Sequence, residues 1–136
     1  MDVVLAQSAG FCMGVGLALE KLETVLDEAE PGESIHTLGP IIHNPQVLAE
    51  FAARGVACIN RPEEARPGAT VVIRAHGIPR NTEALLRTRG VTVIDATCPE
   101  VSVAQRLISR ETARGRSLLP LLEAHPRELQ GLRSYA

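Results

Sequence analysis

The sequence predicts an α/β fold with a largely parallel sheet flanked by helices. Short apolar runs rich in β-branched residues alternate with segments whose apolar residues recur at helical spacing, and glycine or proline separates most of them. Alternation of this kind is typical of parallel sheets whose strands are joined by helical crossovers. The chain has 136 residues, of which 45% are hydrophobic and 22% charged, so it can bury a core as soluble globular domains do.

The first half of the chain contains three predicted strands and two predicted helices. Pro31 and Gly32 end the first helix, in which leucine and valine recur at helical spacing, and Gly55 ends the second. In order, the predicted elements are a strand over 2–6, a helix over 15–29, a strand over 34–38, a helix over 47–54 and a strand over 56–59.

The second half continues the alternation. Its first strand is the most β-branched run of the chain, and Gly90 ends the helix that follows it. Pro120 interrupts a further apolar run over 117–122, which could form a strand only at an edge or a bulge, and no terminal helix is predicted before Ala136. The elements expected are a strand over 69–74, a helix over 80–88, a strand over 91–94 and a helix over about 100–114.

Composition excludes several classes of function. A formal charge of −2 argues against a polyanion binder, and 2% aromatic residues argue against a surface on which nucleic-acid bases stack. No apolar stretch approaches the roughly 20 residues needed to span a bilayer, and no leader pattern is present. Three cysteines without a CxxC pair do not suggest a disulfide framework. We therefore expect a cytoplasmic protein that binds neither nucleic acid nor membrane.

Four residues with ligand chemistry follow predicted strands. Cys12, His43, His76 and Cys98 each lie in a short loop after a strand. The carboxyl ends of parallel strands meet at one edge of the sheet, where ligands bind, so we expect these side chains to lie close together. Cys58 lies inside a predicted strand and is expected to be a core residue.

The chemistry of this group leaves several alternatives. Cys12 and Cys98 precede helices, whose N-terminal partial charge favours a thiolate nucleophile or metal ligand, although each could be a small buried hydrophobe. Histidine can bind a metal or hold a phosphate by charge-assisted hydrogen bonds, whereas His36, inside a strand, is expected to serve structure. Two thiolates and two imidazoles could form a zinc site, but the absence of a CxxC hairpin argues against a thiol or zinc binding module.

Four motifs resemble, in order and spacing, those of the 4-hydroxy-3-methylbut-2-enyl diphosphate reductase family. The similarity is clear from the first residue to about residue 116 and resumes over 130–136. The motifs are Gly-Phe-Cys-Met-Gly-Val over 10–15, Leu-Gly-Pro-Ile-Ile-His-Asn over 38–44, Ala-His-Gly-Ile over 75–78 and Asp-Ala-Thr-Cys-Pro over 95–99.

The resemblance implies one lobe of a three-lobed α/β reductase of the non-mevalonate isoprenoid pathway and the start of a second. On this reading 1–97 is the N-terminal lobe and 98–136 the beginning of the next, truncated. The family holds a [4Fe-4S] cluster with three cysteines. Two electrons, from ferredoxin or flavodoxin, and two protons remove the hydroxyl of an allylic diphosphate as water to give isopentenyl and dimethylallyl diphosphates.

The resemblance also assigns roles to the loop residues. Cys12 and Cys98 correspond to two of the cluster ligands, and His43 and His76 to two of the diphosphate-binding histidines. Soft thiolates suit iron–sulfur clusters, and imidazolium suits a small anionic head group.

Two departures from the family pattern bear on the function. The family is more than twice as long and takes its third cysteine from a region beyond residue 136. Its His-Pro-Glu motif corresponds here to Ala-His-Pro-Arg-Glu-Leu-Gln-Gly over 124–131, with Arg127 inserted. Either His125 keeps its substrate-binding role and the glutamate shifts, or Glu128 keeps its register as the catalytic acid and Pro126 takes the histidine position. The alternative function is therefore a non-catalytic truncated fragment that keeps part of the cluster and diphosphate site.

Overall fold

Residues 2–119 and 126–136 are described by a computed structural model, and within them lie four parallel strands and five α-helices. The strands are β1 (Ile35–Leu38), β2 (Ala57–Ile59), β3 (Thr70–Ile73) and β4 (Thr92–Asp95). The helices are α1 (Met13–Asp27), α2 (Pro45–Ala53), α3 (Arg80–Thr88), α4 (Pro99–Thr112) and α5 (Pro126–Arg133), with a short 3₁₀ helix at Pro62–Glu64.

The four strands form one sheet in the order β2-β1-β3-β4, and every neighbouring pair is parallel. Leu38, at the end of β1, lies opposite Ile59 of β2 and Ile73 of β3. From β1 the chain moves to one side to form β2, then returns to the other side of β1 for β3 and β4. The strand order therefore reverses between β1 and β3.

Helices cover both faces of the sheet. On one face Val72 packs in a cluster with Ala18 and Leu22 of α1 and Phe51 of α2. On the other, the neighbouring residues of β3 pack with Leu86 of α3. All four residues of β3 are buried, as expected for a central strand with helices above and below it. Of the described helices, none has the length and apolar character to cross a bilayer.

The observed fold confirms the predicted class, and most predicted elements are present within one or two residues of their expected bounds. Helix α3 has the predicted bounds. Helix α2 begins at Pro45, earlier than predicted, because Asn44 caps it: its Oδ1 accepts hydrogen bonds from the backbone N–H groups of Gln46 at 3.1 Å and Val47 at 3.2 Å. Proline at the first helical position needs no such partner.

The predicted strand over 2–6 is wrong. This segment is not a strand in the structure, and the side chains of Val3, Val4 and Leu5 are exposed at 84%, 90% and 81%. A strand needs a partner for its backbone hydrogen bonds, and within the described residues 2–6 pairs with neither edge of the sheet. Apolar, β-branched composition was therefore insufficient to place it.

The expectation that Cys58 is a core residue is also wrong, since Cys58 is exposed. Its strand, β2, lies at the edge of the sheet. Side chains alternate between the two faces of a strand, so while Ile59 packs against Leu38 and Ile73, Cys58 points to the opposite face. At the sheet edge that side of β2 is open.

The C-terminal region corrects the expectation that no terminal helix is present, because α5 occupies residues Pro126–Arg133. After α5, the hydroxyl of Ser134 accepts a hydrogen bond from the backbone N–H of Arg80 at 3.1 Å, and Ser109 donates to the carbonyl of Tyr135 at 3.2 Å. In the predicted strand over 117–122, residues 117–119 are not a strand, and the remainder lies outside the described residues.

Candidate functional site

Two histidines flank the point where the strand order reverses. His43 follows β1 and His76 follows β3, and their rings stack with centroids 5.3 Å apart and an interplanar angle of 25°. The helices after these two loops, α2 and α3, pack on opposite faces of the sheet, which opens a crevice between the loops. In open parallel sheets such a crevice is the usual ligand site.

Backbone hydrogen bonds join the loops that follow β1, β3 and β4. The N–H of Ala75 donates to the carbonyl of Ile41 at 3.3 Å, and the N–H of Cys98 donates to the carbonyl of Ala75 at 2.8 Å. Ala75, the residue before His76, therefore joins the loop that carries His43 to the loop that carries Cys98. The backbones of the loops that carry the two histidines and the second cysteine are thus held together by main-chain hydrogen bonds.

Asp95 shapes the loop that leads to Cys98. Its Oδ1 accepts hydrogen bonds from the backbone N–H of Thr97 at 2.9 Å and from the Thr97 hydroxyl at 2.5 Å. This is the turn in which an aspartate side chain accepts a hydrogen bond from the backbone two residues later, and it leads to Cys98, the N-cap of α4. Lys21 of α1 donates to the carbonyl of Asp95 at 2.5 Å, so α1 is tied to the same loop.

The two cysteines occupy equivalent positions at helix N-termini. Cys12 is the N-cap of α1 and Cys98 is the N-cap of α4. All residues of these two helices are described, and neither thiol makes a capping hydrogen bond to them. Cys12 is exposed and Cys98 half-buried. The Sγ of Cys98 packs against Gly14, in the first turn of α1, so the second cysteine lies beside the helix that the first one begins. The partial positive charge of a helix N-terminus favours a thiolate.

A cavity of about 270 Å³ opens beside the histidines. Its walls combine apolar side chains with the two imidazoles, and its lining includes the neighbour of Cys12. The lining residues are Phe11, Val15, Ile42, His43, Asn44, Ala75 and His76. An apolar pocket with a few convergent polar groups suits a small ligand that has one charged and one apolar end.

The two carboxyl groups with shifted pKa values, Glu23 and Glu33, lie away from the crevice between the histidine loops. The hydrogen bond from Arg54 to Glu23 lowers the pKa of the Glu23 carboxyl and raises the pKa of Arg54. The hydroxyl of Thr70, at the amino end of β3, donates to Glu33 and lowers the pKa of that carboxyl. Both interactions join helices or loops at a distance from the carboxyl ends of the strands.

The structure brings Cys98, His43 and His76 together through their loops, and Cys12 joins them through α1. The segment before Cys12 is not a strand, so its place at this edge comes from the packing of α1. His125 lies outside the described residues, and the position of Glu128 lies within α5.

Three supporting residues were missed in the sequence, and two of them carried a weak signal. Asn44 caps α2, and an asparagine directly before a proline could have indicated it. Asp95 two residues ahead of Thr97 was a recognisable turn signal. Arg74 had no sequence signal: its Nε donates to the carbonyl of Gly77 at 3.2 Å, and its guanidinium lies over Gly39.

Metal ligation was a further possibility for these cysteines and histidines. Among residues 2–119 and 126–136, no group of three or more His, Cys, Asp or Glu side chains is placed to hold a metal ion. The two thiols are soft donors of the kind that iron–sulfur clusters take, but they would need two further thiolates to complete the usual set of four.

Comparisons with known proteins agree on one family. A profile described as LytB protein matches residues 3–136. The 4-hydroxy-3-methylbut-2-enyl diphosphate reductase of Oleidesulfovibrio alaskensis is 55% identical over 136 residues, which is 100% of this chain and 48% of that protein. The protein of the same name from Anaeromyxobacter sp. strain K is 39% identical over the same share of each chain. The chain thus spans about half the length of the curated relatives it matches.

Solved structures give the same answer for the fold. A structure of (E)-4-hydroxy-3-methyl-but-2-enyl diphosphate reductase, described as the terminal enzyme of the non-mevalonate pathway, matches with a TM-score of 0.83 and 39% identity. The match covers 98% of this chain and 46% of that one. The corresponding reductase from Plasmodium falciparum has a TM-score of 0.88 at 24% identity over 96% of this chain and 40% of its own, a likeness of fold alone.

Proposed function

The chain belongs to the LytB protein family, and from this membership we propose that it provides half of the active site of a 4-hydroxy-3-methylbut-2-enyl diphosphate reductase. The observation that carries the proposal is the stacked pair of His43 and His76 at the strand-order reversal, joined by main chain to Cys98. One crevice thus combines groups for an anionic head group with a soft ligand for a redox cluster.

Cys12 and Cys98 are the proposed ligands of a [4Fe-4S] cluster. Each is the N-cap of a helix of more than ten residues, and the Sγ of Cys98 lies against the first turn of the helix that Cys12 begins. When bound, the cluster supplies the electrons for reductive removal of the substrate hydroxyl. The remaining cysteine, Cys58, lies on the edge strand β2 and is not proposed as a ligand.

His43 and His76 are the proposed anchors of the diphosphate. As imidazolium ions they donate charge-assisted hydrogen bonds, each contributing about 1.5–3 kcal/mol before the cost of ordering the ligand. The apolar wall of the adjacent cavity, with Val15 and Ile42, suits the short hydrocarbon chain of an allylic diphosphate. The head group is thereby held at one end and the carbon chain is directed toward Phe11, next to Cys12.

Glu128 is the proposed proton donor to the departing hydroxyl, a general-acid role that contributes roughly 10² to 10⁴ in rate. The role rests on the His-Pro-Glu motif of the family and its displaced counterpart over 124–131. His125 is the proposed third histidine of the diphosphate pocket on the same grounds. If His125 keeps the position of the family's histidine, the inserted Arg127 places the glutamate one residue further along the chain.

Ferredoxin or flavodoxin is the proposed electron donor, and the cytoplasm the proposed location. An odd number of cysteines without a disulfide framework suits a reducing compartment. The chain on its own is proposed to be non-catalytic, because two thiolates are one short of the set that holds the family's cluster.

Calorimetric titration with isopentenyl diphosphate at about pH 6, where imidazole is largely protonated, tests the anchoring role. We expect weak binding by the chain. His43→Ala and His76→Ala should each weaken it about tenfold or more, the equivalent of one charged hydrogen bond.

The matched control is Arg61→Ala, which removes an exposed positive charge just beyond β2, at the same edge of the sheet. Arg61→Ala should leave binding unchanged. Replacing the diphosphate of the ligand by a hydroxyl should abolish binding. Equal binding by the wild type and both histidine variants, or no binding at millimolar ligand, would remove the histidines from this role.

A further inference from the structure

Gly14 makes an unusually close approach to Cys98. It is a buried residue in the first turn of α1, and a Cβ built on it would lie 2.4 Å from the Sγ of Cys98 and 2.9 Å from its Cβ. Real Cβ atoms essentially never approach other atoms to within 3.0 Å. Any side chain at position 14 therefore has to displace Cys98. The requirement comes from this contact, since Gly14 is an ordinary helical residue without a positive φ.

Cys98 cannot move away from position 14 as a whole residue, because hydrogen bonds hold its backbone. Its N–H donates to the carbonyl of Ala75 at 2.8 Å, and its carbonyl accepts from the N–H of Ser102 at 3.0 Å, inside α4. On the far side of the loop, Thr97 packs against Gly77, where a Cβ would lie 3.3 Å from the Thr97 Cγ2. With the main chain held by these hydrogen bonds, the thiol is the part of Cys98 that can rotate away, while its Cβ, 2.9 Å from the added carbon, has to shift by a few tenths of an ångström.

We propose that Gly14 is a positioning residue that seats the Cys98 thiolate against the N-terminus of α1, on the helix that Cys12 begins. The inference rests on the proposed role of Cys98 as a cluster ligand, and it deepens that role by naming what fixes the sulfur. The absence of a Cβ at position 14 lets the Cys98 thiol lie against the first turn of the helix that Cys12 begins.

The same helix contains a matched control. Gly16 is exposed, and a Cβ built there would meet nothing within 4 Å. Gly14→Ala and Gly16→Ala both replace a glycine within α1 by a better helix former. The difference between the two variants therefore isolates the contact with Cys98.

The test is the rate at which Cys98 attacks an aromatic disulfide reagent in a chain carrying Cys12→Ser and Cys58→Ser. The thiolate displaces one aromatic thiolate, which is counted by its absorbance, and a mixed disulfide remains on Cys98. We expect Gly14→Ala to raise the rate several-fold, because the displaced sulfur moves out of its half-buried seat. Gly16→Ala should react like its parent, and circular dichroism should show both variants folded. An unchanged rate in Gly14→Ala, or an equal rise in Gly16→Ala, would overturn the proposal.

Should Gly14→Ala fail to fold, the double variant G14A/C98G decides. Glycine at position 98 removes both atoms that the new methyl group meets, and glycine is tolerated at a helix N-cap. We expect the double variant to fold and to melt close to Cys98→Gly alone. A double variant that stays unfolded while Cys98→Gly folds would place the fault elsewhere than in this contact.

These measurements involve neither cluster nor substrate, so the two ideas fail separately. An unperturbed thiol in Gly14→Ala would overturn the positioning role and leave the proposed function intact. If His43→Ala and His76→Ala bound the diphosphate as tightly as the wild type, the proposed function would be overturned and the Gly14 contact would be unaffected.

Discussion

The two imidazoles of the crevice show how single residues depend on one another here. At a centroid separation of 5.3 Å, His43 and His76 would repel each other if both were protonated. In the proposed function a bound diphosphate would offset that repulsion, since its negative charges would accept hydrogen bonds from both rings. The pair is therefore suited to respond to an anion, and a neutral ligand of the same length should not be held.

Tyr135 gives a residue-level prediction about pH. Burial raises the pKa of Tyr135, and the nearby carboxylates of Glu83 and Asp95 add to the rise, while Arg80 acts in the opposite direction. A raised native pKa means that the neutral phenol is favoured by folding. The stability it confers is present below the unfolded value of about 10 and is lost as the pH rises through the native value.

We therefore expect the wild type to lose stability between about pH 9 and about pH 11 by more than Tyr135→Phe does. Phenylalanine keeps the ring against the guanidinium of Arg80, 5.5 Å away, but has no proton to lose. Urea denaturation at the two pH values measures the difference. Parallel losses in the two proteins would show that the environment of Tyr135 does not favour the neutral form.

Among the elements, α2 depends on a cap that also borders the crevice. Asn44 ends the His43 loop and satisfies two backbone donors at the start of α2. Replacing such a cap by alanine costs about 1 kcal/mol. We expect Asn44→Ala to lower the free energy of unfolding by about that amount and to weaken diphosphate binding, because the loop that carries His43 loses its anchor.

Chemical denaturation and calorimetry of the same variant check both parts. Asn60→Ala, at an exposed position after β2, is the comparison and should leave both quantities unchanged. A stable Asn44→Ala that binds as tightly as wild type would mean that α2 does not rely on this side chain.

The same elements show how far sequence patterns reach. Helix α3 has strong boundary signals, proline before it and glycine after it, and its bounds agree with the prediction. The run over 2–6 has the composition of a strand, yet no described strand pairs with it, and pairing is a long-range property that composition does not contain. Cys58 was misjudged because burial on a strand depends on whether the strand is central or at an edge.

The candidate site was likewise predicted only in its local features. The sequence placed its chemistry in the loops that carry Cys12, His43, His76 and Cys98, since those loops are local features. It could not provide the strand order, and hence could not show that β1 and β3 flank the reversal. The Gly14 contact was equally hidden, because it joins residues 84 positions apart in the chain.

At the scale of the whole molecule, the number of available thiolates limits what the chain can hold. With Cys12 and Cys98 as the proposed ligands, two irons of a [4Fe-4S] cluster would have no protein ligand, and Cys58 lies on the edge strand of the sheet. We therefore expect anaerobic reconstitution with iron and sulfide to give little cluster that survives gel filtration. Iron and sulfide analysis of the protein fraction measures it.

A stoichiometric, oxygen-sensitive cluster that is lost in Cys12→Ser and kept in Cys58→Ser would contradict this expectation. Dimerisation that brings two Cys12/Cys98 pairs together is the physical route to such an outcome. The molecular mass of the reconstituted protein would identify it.

The central claim is that the thiols and the imidazoles belong to one site, and ligand protection of the cysteines tests it most directly. The chain is alkylated with iodoacetamide with and without saturating isopentenyl diphosphate, and each cysteine is followed by peptide mass spectrometry. In the proposed function a ligand anchored by His43 and His76 would fill the cavity that Phe11, next to Cys12, also lines, so alkylation of Cys12 and Cys98 should slow several-fold. Cys58, exposed on the edge strand, is the internal control and should react at an unchanged rate. Equal rates for Cys12 and Cys98 with and without ligand, in a chain that calorimetry shows to be saturated, would contradict the claim.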